Sequence, residues 1–145
     1  MAAALSLHET ISLRAPAWLA RHTEARRVRI LDVRPKALYL RGHVPGAVHA
    51  PARTMLFDRS GAVLSAGEVA LAMSNLGVGD EHTVVFVDSD RSDDARAAAR
   101  ALARYGHFDV HVLDGGFARW VAEGRPLSLS PTEYPAASFT AKVSS

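Results

Sequence analysis

The side chains best suited to chemistry lie in one short segment that follows an apolar, β-branched run at residues 84–87. This segment has the sequence Asp88-Ser89-Asp90-Arg91-Ser92-Asp93 and carries three carboxylates and one guanidinium. A carboxylate in such a loop can attack phosphorus as a nucleophile when neighbouring carboxylates hold Mg²⁺. The alternative is that Asp88 is an inert polar residue, and that the other acidic side chains are attracted by the N-terminus of a helix without any catalytic role. Asp93 and Asp94 fit that electrostatic role, with Ser92 as the N-cap residue.

A second group of candidates follows another apolar run, at residues 28–33. Asp32 and Arg34 leave the end of this predicted strand, where open α/β sheets bind their ligands. We favour the alternative that they form a structural ion-pair network near the acidic loop. His43 could act as a general base, but its place in a turn favours an imidazole that bonds to the backbone. The other histidines of interest lack the spacing of metal ligands; they are His49, His107 and His111.

The composition excludes several classes of function. The 145 residues include no cysteine, so disulfides, thiolate metal sites and thiol nucleophiles are all impossible. A net charge of +2 without a Lys/Arg block gives no support for nucleic-acid binding. The 48% apolar and 22% charged residues are typical of one globular domain. With no signal-like N-terminus or long apolar run, we expect a cytoplasmic protein with no membrane partner, metal or cofactor.

Apolar periodicity and turn residues divide the chain into alternating elements. The patterns predict helices at residues 15–21, 36–41, 65–76, 92–104 and 117–123, and strands at 28–33, 47–50, 83–87 and 109–113. Such alternation predicts an α/β fold, with a central parallel sheet of about five strands and helices on both faces. We assign residues 1–127 to this domain. Residues 128–145 contain Pro and Ser without any period, which predicts an unpacked tail or interdomain linker.

Three segments of the chain resemble the rhodanese (sulfurtransferase) family over about residues 10–127. The first is Leu31-Asp32-Val33-Arg34, followed by Tyr39 and Gly42-His43-Val44-Pro45-Gly46-Ala47. The second is the strand at residues 84–87 with its loop and an Ala/Arg-rich helix, and the third is Val112-Leu113-Asp114-Gly115-Gly116-Phe117 with Trp120. The resemblance implies a rhodanese-like fold. It also implies that the loop after the second strand wraps around a catalytic cysteine, with backbone N–H groups facing the sulfur.

The sequence departs from this family at the reacting atom, because Asp88 stands where the family has cysteine. A carboxylate cannot accept sulfane sulfur to form a persulfide. The acidic loop should also repel anionic thiosulfate or mercaptopyruvate, since two like charges at ~4 Å cost about 1 kcal/mol in water and more in a dry pocket. An aspartate at this position resembles the inactive N-terminal domain of tandem thiosulfate/3-mercaptopyruvate sulfurtransferases. The motifs at residues 76–80 and 106–116 agree with that likeness.

Three hypotheses follow. The first is a non-catalytic rhodanese-like domain that serves a catalytic rhodanese domain, in cis or in trans, as a structural, substrate-cleft or regulatory partner. Asp32, Arg34 and His43 would then support a degenerate loop that still meets a small anion or sulfur compound. The second is a stand-alone module that binds a ligand or protein. The third is an Asp88-dependent hydrolase, because residues 85–90 resemble the opening motif of haloacid-dehalogenase-type phosphatases, although Arg91 departs from it.

Overall fold

A five-stranded parallel sheet forms the centre of the computed structural model, which describes residues 11–91 and 93–143. In chain order the strands are β1 (Leu13–Arg14), β2 (Val28–Asp32), β3 (Ala47–His49), β4 (Thr83–Val87) and β5 (Val110–Leu113). They lie in the order β1-β5-β4-β2-β3, and every neighbouring pair is parallel. The predicted α/β class and the sheet of about five strands are therefore confirmed.

Helices cover both faces of this sheet. In the described residues they are α1 (Pro16–Ala20), α2 (Lys36–Arg41), α3 (Ala52–Met55), α4 (Ala66–Leu76), α5 (Asp93–Arg104) and α6 (Gly116–Ala122). One apolar cluster packs on the side of α3, α4 and α5, and a second packs on the side of α1, α2 and α6. Strand β2 serves both clusters because side chains alternate across a strand: Leu31 enters the first cluster and Ile30 the second.

The local sequence determines where helix α4 begins and ends. The Ser65 hydroxyl accepts the Glu68 N–H, and the Glu68 carboxylate accepts the Ser65 N–H, so a capping box begins the helix that the sequence predicts from residue 65. The helix ends at Gly77, whose φ of 90° lies in the left-handed region that favours glycine. No helix among the described residues is long and apolar enough to cross a membrane.

The carboxyl ends of three strands meet at one edge of the sheet and carry the candidate site. Asp32 at the end of β2 lies in register with Val87 at the end of β4, and the Val33 N–H donates to the Val87 carbonyl at 2.9 Å. Strand β5 lies on the other side of β4 and leads into α6. Asp88 and the start of α6 are thereby placed beside the end of β2.

The expectation of an unpacked tail is wrong for the part of the tail that is described. The segment forms no helix or strand, yet Phe139 is buried in the first apolar cluster. Ser74 on α4 holds this part of the tail: the Ser74 carbonyl accepts the Ala137 N–H, and the Ser74 hydroxyl accepts the Phe139 N–H. Further along, the Lys142 N–H donates to the Tyr105 carbonyl. The tail stays attached because these backbone groups find partners on the domain, although its sequence has no period.

Two short elements were not predicted from sequence, β1 and α3. Strand β1 has only two residues and pairs with β5, which lies far along the chain. Periodicity cannot detect so short a strand, because its extended backbone depends on that long-range pairing. The predicted N-cap residue Ser92 lies outside the described residues.

Candidate functional site

Asp88 follows β4 directly and its carboxylate is held by backbone N–H groups. The Ser89 N–H donates to Oδ1 at 2.8 Å, and the Ala95 N–H donates to Oδ2 at 3.1 Å. Ala95 is the third residue of α5, so the carboxylate satisfies one of the donors that a helix leaves unpaired at its N-terminus. The side chain of Asp88 therefore occupies the anion-binding position that the helix end and the loop create.

The first residues of α6 hold the loop that follows β4. The Phe117 N–H donates to the Asp88 carbonyl at 2.7 Å. Gly115 and Gly116 have φ values of 77° and 63°, in the left-handed region that favours glycine. A Cβ at Gly116 would overlap the Ser89 carbonyl, so only glycine lets the loop come this close.

Asp32 and Arg34 form a buried ion pair beside the loop. The Arg34 guanidinium donates from Nε to Oδ1 of Asp32 at 3.0 Å and from Nη2 to Oδ2 at 2.8 Å. Nη2 also donates to the Gly42 carbonyl at 2.8 Å, and the guanidinium lies 3.8 Å from the ring centre of Phe117. The two side chains are 0% and 5% exposed, so these contacts fix β2, the turn before His43 and α6 to one another. This is the ion-pair arrangement that the sequence analysis favoured.

His43 is fully buried, and its ring contacts backbone carbonyls that do not belong to the acidic loop. Its ring nitrogens lie 2.9 Å from the Tyr39 carbonyl and 2.8 Å from the Ser130 carbonyl, and its ring stacks on Tyr39 at 3.8 Å. Both nitrogens are thus used by the backbone, which is the structural alternative that we favoured. His43 reaches the site only through the carbonyl of Gly42, its neighbour in the chain.

The remaining loop side chains point towards solvent. Asp90, Arg91 and Asp93 are exposed, and Asp90 accepts only the N–H of Arg91 among the bonds recorded for its carboxylate. Two exposed carboxylates of the loop, those of Asp90 and Asp93, therefore oppose the approach of an anion. Each carboxylate oxygen of Asp88 accepts one backbone N–H, so the loop and the helix end hold the side chain in place.

A groove beside the loop was missed by the sequence analysis. Asp94 accepts a hydrogen bond from Nε of Arg53 at 3.2 Å, across 41 residues of sequence. The pair borders a cavity of about 470 Å³ that also contains Asp58 and Arg59. Hydrogen bonds from the Ser60 hydroxyl and nearby backbone N–H groups lower the pKa of Asp58, so its carboxylate stays ionised at neutral pH. In the sequence, the only sign of this groove is the acidic first turn of α5. Its basic partner, Arg53, lies on α3, a helix that the sequence patterns did not predict.

The described residues contain no cluster of three or more His, Cys, Asp or Glu side chains that could hold a metal ion. His49 instead places Nε2 2.8 Å from the Arg34 carbonyl, and His107 places Nε2 2.8 Å from the His82 carbonyl. The site can bind backbone donors through Asp88 and order its loop, but it offers no thiol to carry sulfur.

The fold and this strand-end loop define a rhodanese-like domain, and the chain belongs to that family. The rhodanese-like domain family matches residues 15–123. The sequence is 36% identical over 123 residues to the sulfur carrier protein TtuD of Thermus thermophilus, a match that covers 81% of this chain and 42% of that protein. It is 32% identical over 126 residues to the putative thiosulfate sulfurtransferase 1 of Mycobacterium bovis, covering 86% of this chain and 46% of that protein.

A solved structure shows the same fold. The 3-mercaptopyruvate sulfotransferase SseA of Escherichia coli superposes with a TM-score of 0.80 at 26% identity, over 93% of this chain and 56% of that chain. The chain thus spans less than half the length of the two curated relatives and about half of this one. Sulfurtransferase homology is therefore shown for the domain, which itself contains no cysteine.

Proposed function

We propose that this chain is a non-catalytic rhodanese-like domain that packs against a catalytic rhodanese domain and forms one wall of its substrate cleft. The observation that carries the proposal is the Asp88 carboxylate, which fills the N–H cradle at the position of the family's cysteine. A filled cradle cannot receive a sulfur anion, yet it keeps the loop ordered at the surface where a partner domain could contact it.

The lengths of the relatives support a partner of this kind. Proteins named as sulfurtransferases are about twice as long as the matched region, which leaves room in each for a second domain of similar size. We place the catalytic cysteine on such a second domain, in the same polypeptide or in a separate one. We also place the binding of the anionic sulfur donor, such as thiosulfate or 3-mercaptopyruvate, on the catalytic domain, because the loop of this chain is acidic and Arg53 is paired with Asp94.

The first test measures sulfur transfer by the purified chain. With thiosulfate and cyanide as substrates, we expect thiocyanate formation at the rate of the protein-free control, because no side chain can form a persulfide. Clear turnover by a preparation that mass spectrometry shows to be free of other rhodaneses would refute the proposal.

A matched pair of variants separates the missing nucleophile from the charge of the loop. Asp88→Cys restores the thiol, but we expect only weak transfer because Asp90 and Asp93 still repel the sulfur donor. The triple variant, with Asp90→Asn and Asp93→Asn added, should transfer sulfur faster, and most clearly at low ionic strength where screening is weak. Strong activity of Asp88→Cys alone would show that the electrostatic part of the proposal is wrong.

The partner is tested in the source cells. An antibody against this domain should detect either one polypeptide of about twice its mass or a stable complex with a cysteine-containing rhodanese. A free species of 15.6 kDa that co-purifies with no such rhodanese would favour the stand-alone binding module instead.

A further inference from the structure

A chain of hydrogen bonds joins a serine, a histidine and an aspartate on the flank of the sheet formed by β1 and β5. The Ser12 hydroxyl oxygen lies 2.6 Å from Nδ1 of His111, and Nε2 of His111 lies 2.7 Å from Oδ1 of Asp109. The Thr83 hydroxyl donates to the other carboxylate oxygen of Asp109 at 2.6 Å. Ser12 and His111 are 99 residues apart in sequence and meet because β1 pairs with β5, with Leu13 opposite Val112.

The chemistry of the three side chains determines which group donates and which accepts in each of these hydrogen bonds. An ionised carboxylate only accepts, so the proton between His111 and Asp109 belongs to Nε2. A neutral imidazole then has its lone pair on Nδ1, so the Ser12 hydroxyl must donate to it. Burial lowers the pKa of His111, and this favours the neutral ring. Although burial acts in the opposite direction, hydrogen bonds from Thr83 and His111 lower the pKa of Asp109 and keep it ionised.

We propose that Ser12 is an activated nucleophile that reacts with small acyl esters, with His111 as its general base and Asp109 as a positioning residue. In the reaction the Oγ of Ser12 bonds to the ester carbonyl carbon and its proton passes to Nδ1 of His111. The alcohol group leaves and takes up that proton, which yields an acyl-serine that water then hydrolyses. The order of nucleophile, base and carboxylate is that of hydrolytic triads on unrelated folds, but the imidazole is reversed, since Nδ1 faces the serine and Nε2 faces the aspartate.

The surroundings suit such a reaction. Ser12 is exposed, so an ester can reach it from solvent, whereas His111 is only 6% exposed and its ring is fixed by partners at both nitrogens. Arg14 lies two residues further along β1, on the same face of the strand as Ser12. Its Nε is buried, and it is the one buried side-chain polar atom of the described chain without a hydrogen-bond partner. The Arg14 guanidinium lies 5.0 Å from the ring centre of Trp18, so it adds a fixed positive charge close to the triad.

The test uses the full chain with p-nitrophenyl acetate as the probe. We expect release of p-nitrophenolate and an acetyl group on Ser12, located by mass spectrometry. Ser12→Ala should remove both, and His111→Asn should slow acetylation by about 10²-fold or more, the usual effect of a general base. Ser130→Ala is the matched control, since that serine is exposed and remote from the triad, and it should leave the rate unchanged.

A thiol in place of Ser12 tests whether His111 activates this position, because a hydrogen bond with only a structural role would not change the pH dependence of thiol alkylation. The chain contains no other cysteine, so Ser12→Cys introduces a unique thiol whose alkylation by iodoacetamide can be followed against pH. Contact with His111 should shift this profile to a lower pH than that of the control Ser130→Cys. Adding His111→Asn or Asp109→Asn to Ser12→Cys should move the profile back towards that of the control.

The outcomes are distinct from those of the sulfur-transfer assay. Acetylation of Ser12 that depends on His111, together with the shifted thiol profile, supports the proposal. Equal ester hydrolysis by the wild type and Ser12→Ala, or identical alkylation profiles for the two cysteine variants, overturns it. Circular dichroism spectra that match the wild type ensure that a loss of reactivity is not a loss of fold.

Discussion

Replacing Asp88 by alanine should destabilise the domain, because the carboxylate acts as the N-terminal cap of α5. The substitution removes the acceptor of the Ala95 N–H and of the Ser89 N–H. Loss of a capping side chain costs about 0.5–2 kcal/mol, and loss of a negative charge at a helix N-terminus costs about 0.3–1 kcal/mol. Asp88 is partly exposed and solvent screens its charge, so the charge contribution lies at the low end of that range.

The expected total is a loss of about 1–2 kcal/mol in the free energy of unfolding. In a domain of this size that corresponds to a fall in Tm of about 2–8 °C. Urea unfolding followed by far-ultraviolet circular dichroism measures the loss directly. Asp90→Ala removes a carboxylate of the same loop that caps no helix, so it should stay within about 0.5 kcal/mol of the wild type. Asp88→Asn keeps one acceptor oxygen and should fall between the two.

The order of the three variants in the free energy of unfolding tests whether the Asp88 carboxylate caps α5. If Asp88→Ala is as stable as Asp90→Ala, the carboxylate does not cap α5, and the filled cradle on which the proposed function depends is wrong. If Asp88→Ala is more stable than the wild type, repulsion among the acidic groups of the loop outweighs the cap. Either result would require another reason for the aspartate at the end of β4.

Three further predictions concern the residues around the site and the pH dependence of stability. Arg34→Ala leaves its carboxylate partner buried without a counter-ion, so urea unfolding should show a loss of about 3–5 kcal/mol, and a loss below about 1 kcal/mol would contradict the buried pair. Gly116→Ala and Gly124→Ala both place a side chain at positive φ, but only the first overlaps the loop, so it should lower Tm further than the second. Burial lowers the pKa of His82 and His111 in the folded state, so the unfolded chain binds more protons below about pH 6.5. Stability should therefore fall between pH 7 and pH 5, by at most about 1.4 kcal/mol per pH unit for each histidine, and His82→Asn should flatten the curve.

Much of the fold could be predicted from sequence because its main elements carry local signals. The capping box at Ser65 and the left-handed glycine at Gly77 mark the ends of α4 as the sequence indicates. The strands β2 and β4 are rich in apolar and β-branched residues, as is typical of buried parallel strands. Strand β1 and the packed tail carry no such signal, because long-range partners such as Val112 and Ser74 hold them in place.

Contacts in the site could likewise be predicted from sequence where the two partners are close in the chain, but not where they are distant. Asp32 and Arg34 are two residues apart at the end of one strand, so their pairing could be inferred from sequence. The contact of Asp94 with Arg53 could not, since it depends on how α3 packs against α5. The use of both Asp88 oxygens by backbone N–H groups also needed the structure, because it depends on the path of the loop between β4 and α5.

The chemistry of the cradle explains how the nucleophile can be absent while the loop stays in place. Backbone N–H groups at the N-terminus of α5 stabilise any anion of suitable size, whether a thiolate or a carboxylate. An apolar residue at position 88 would leave those donors unpaired, whereas Asp88 supplies an acceptor on the chain itself. Gly116 and the Phe117 N–H then keep the loop at the same edge of the sheet. The residue that stands in place of the cysteine is therefore the same residue that keeps the loop ordered.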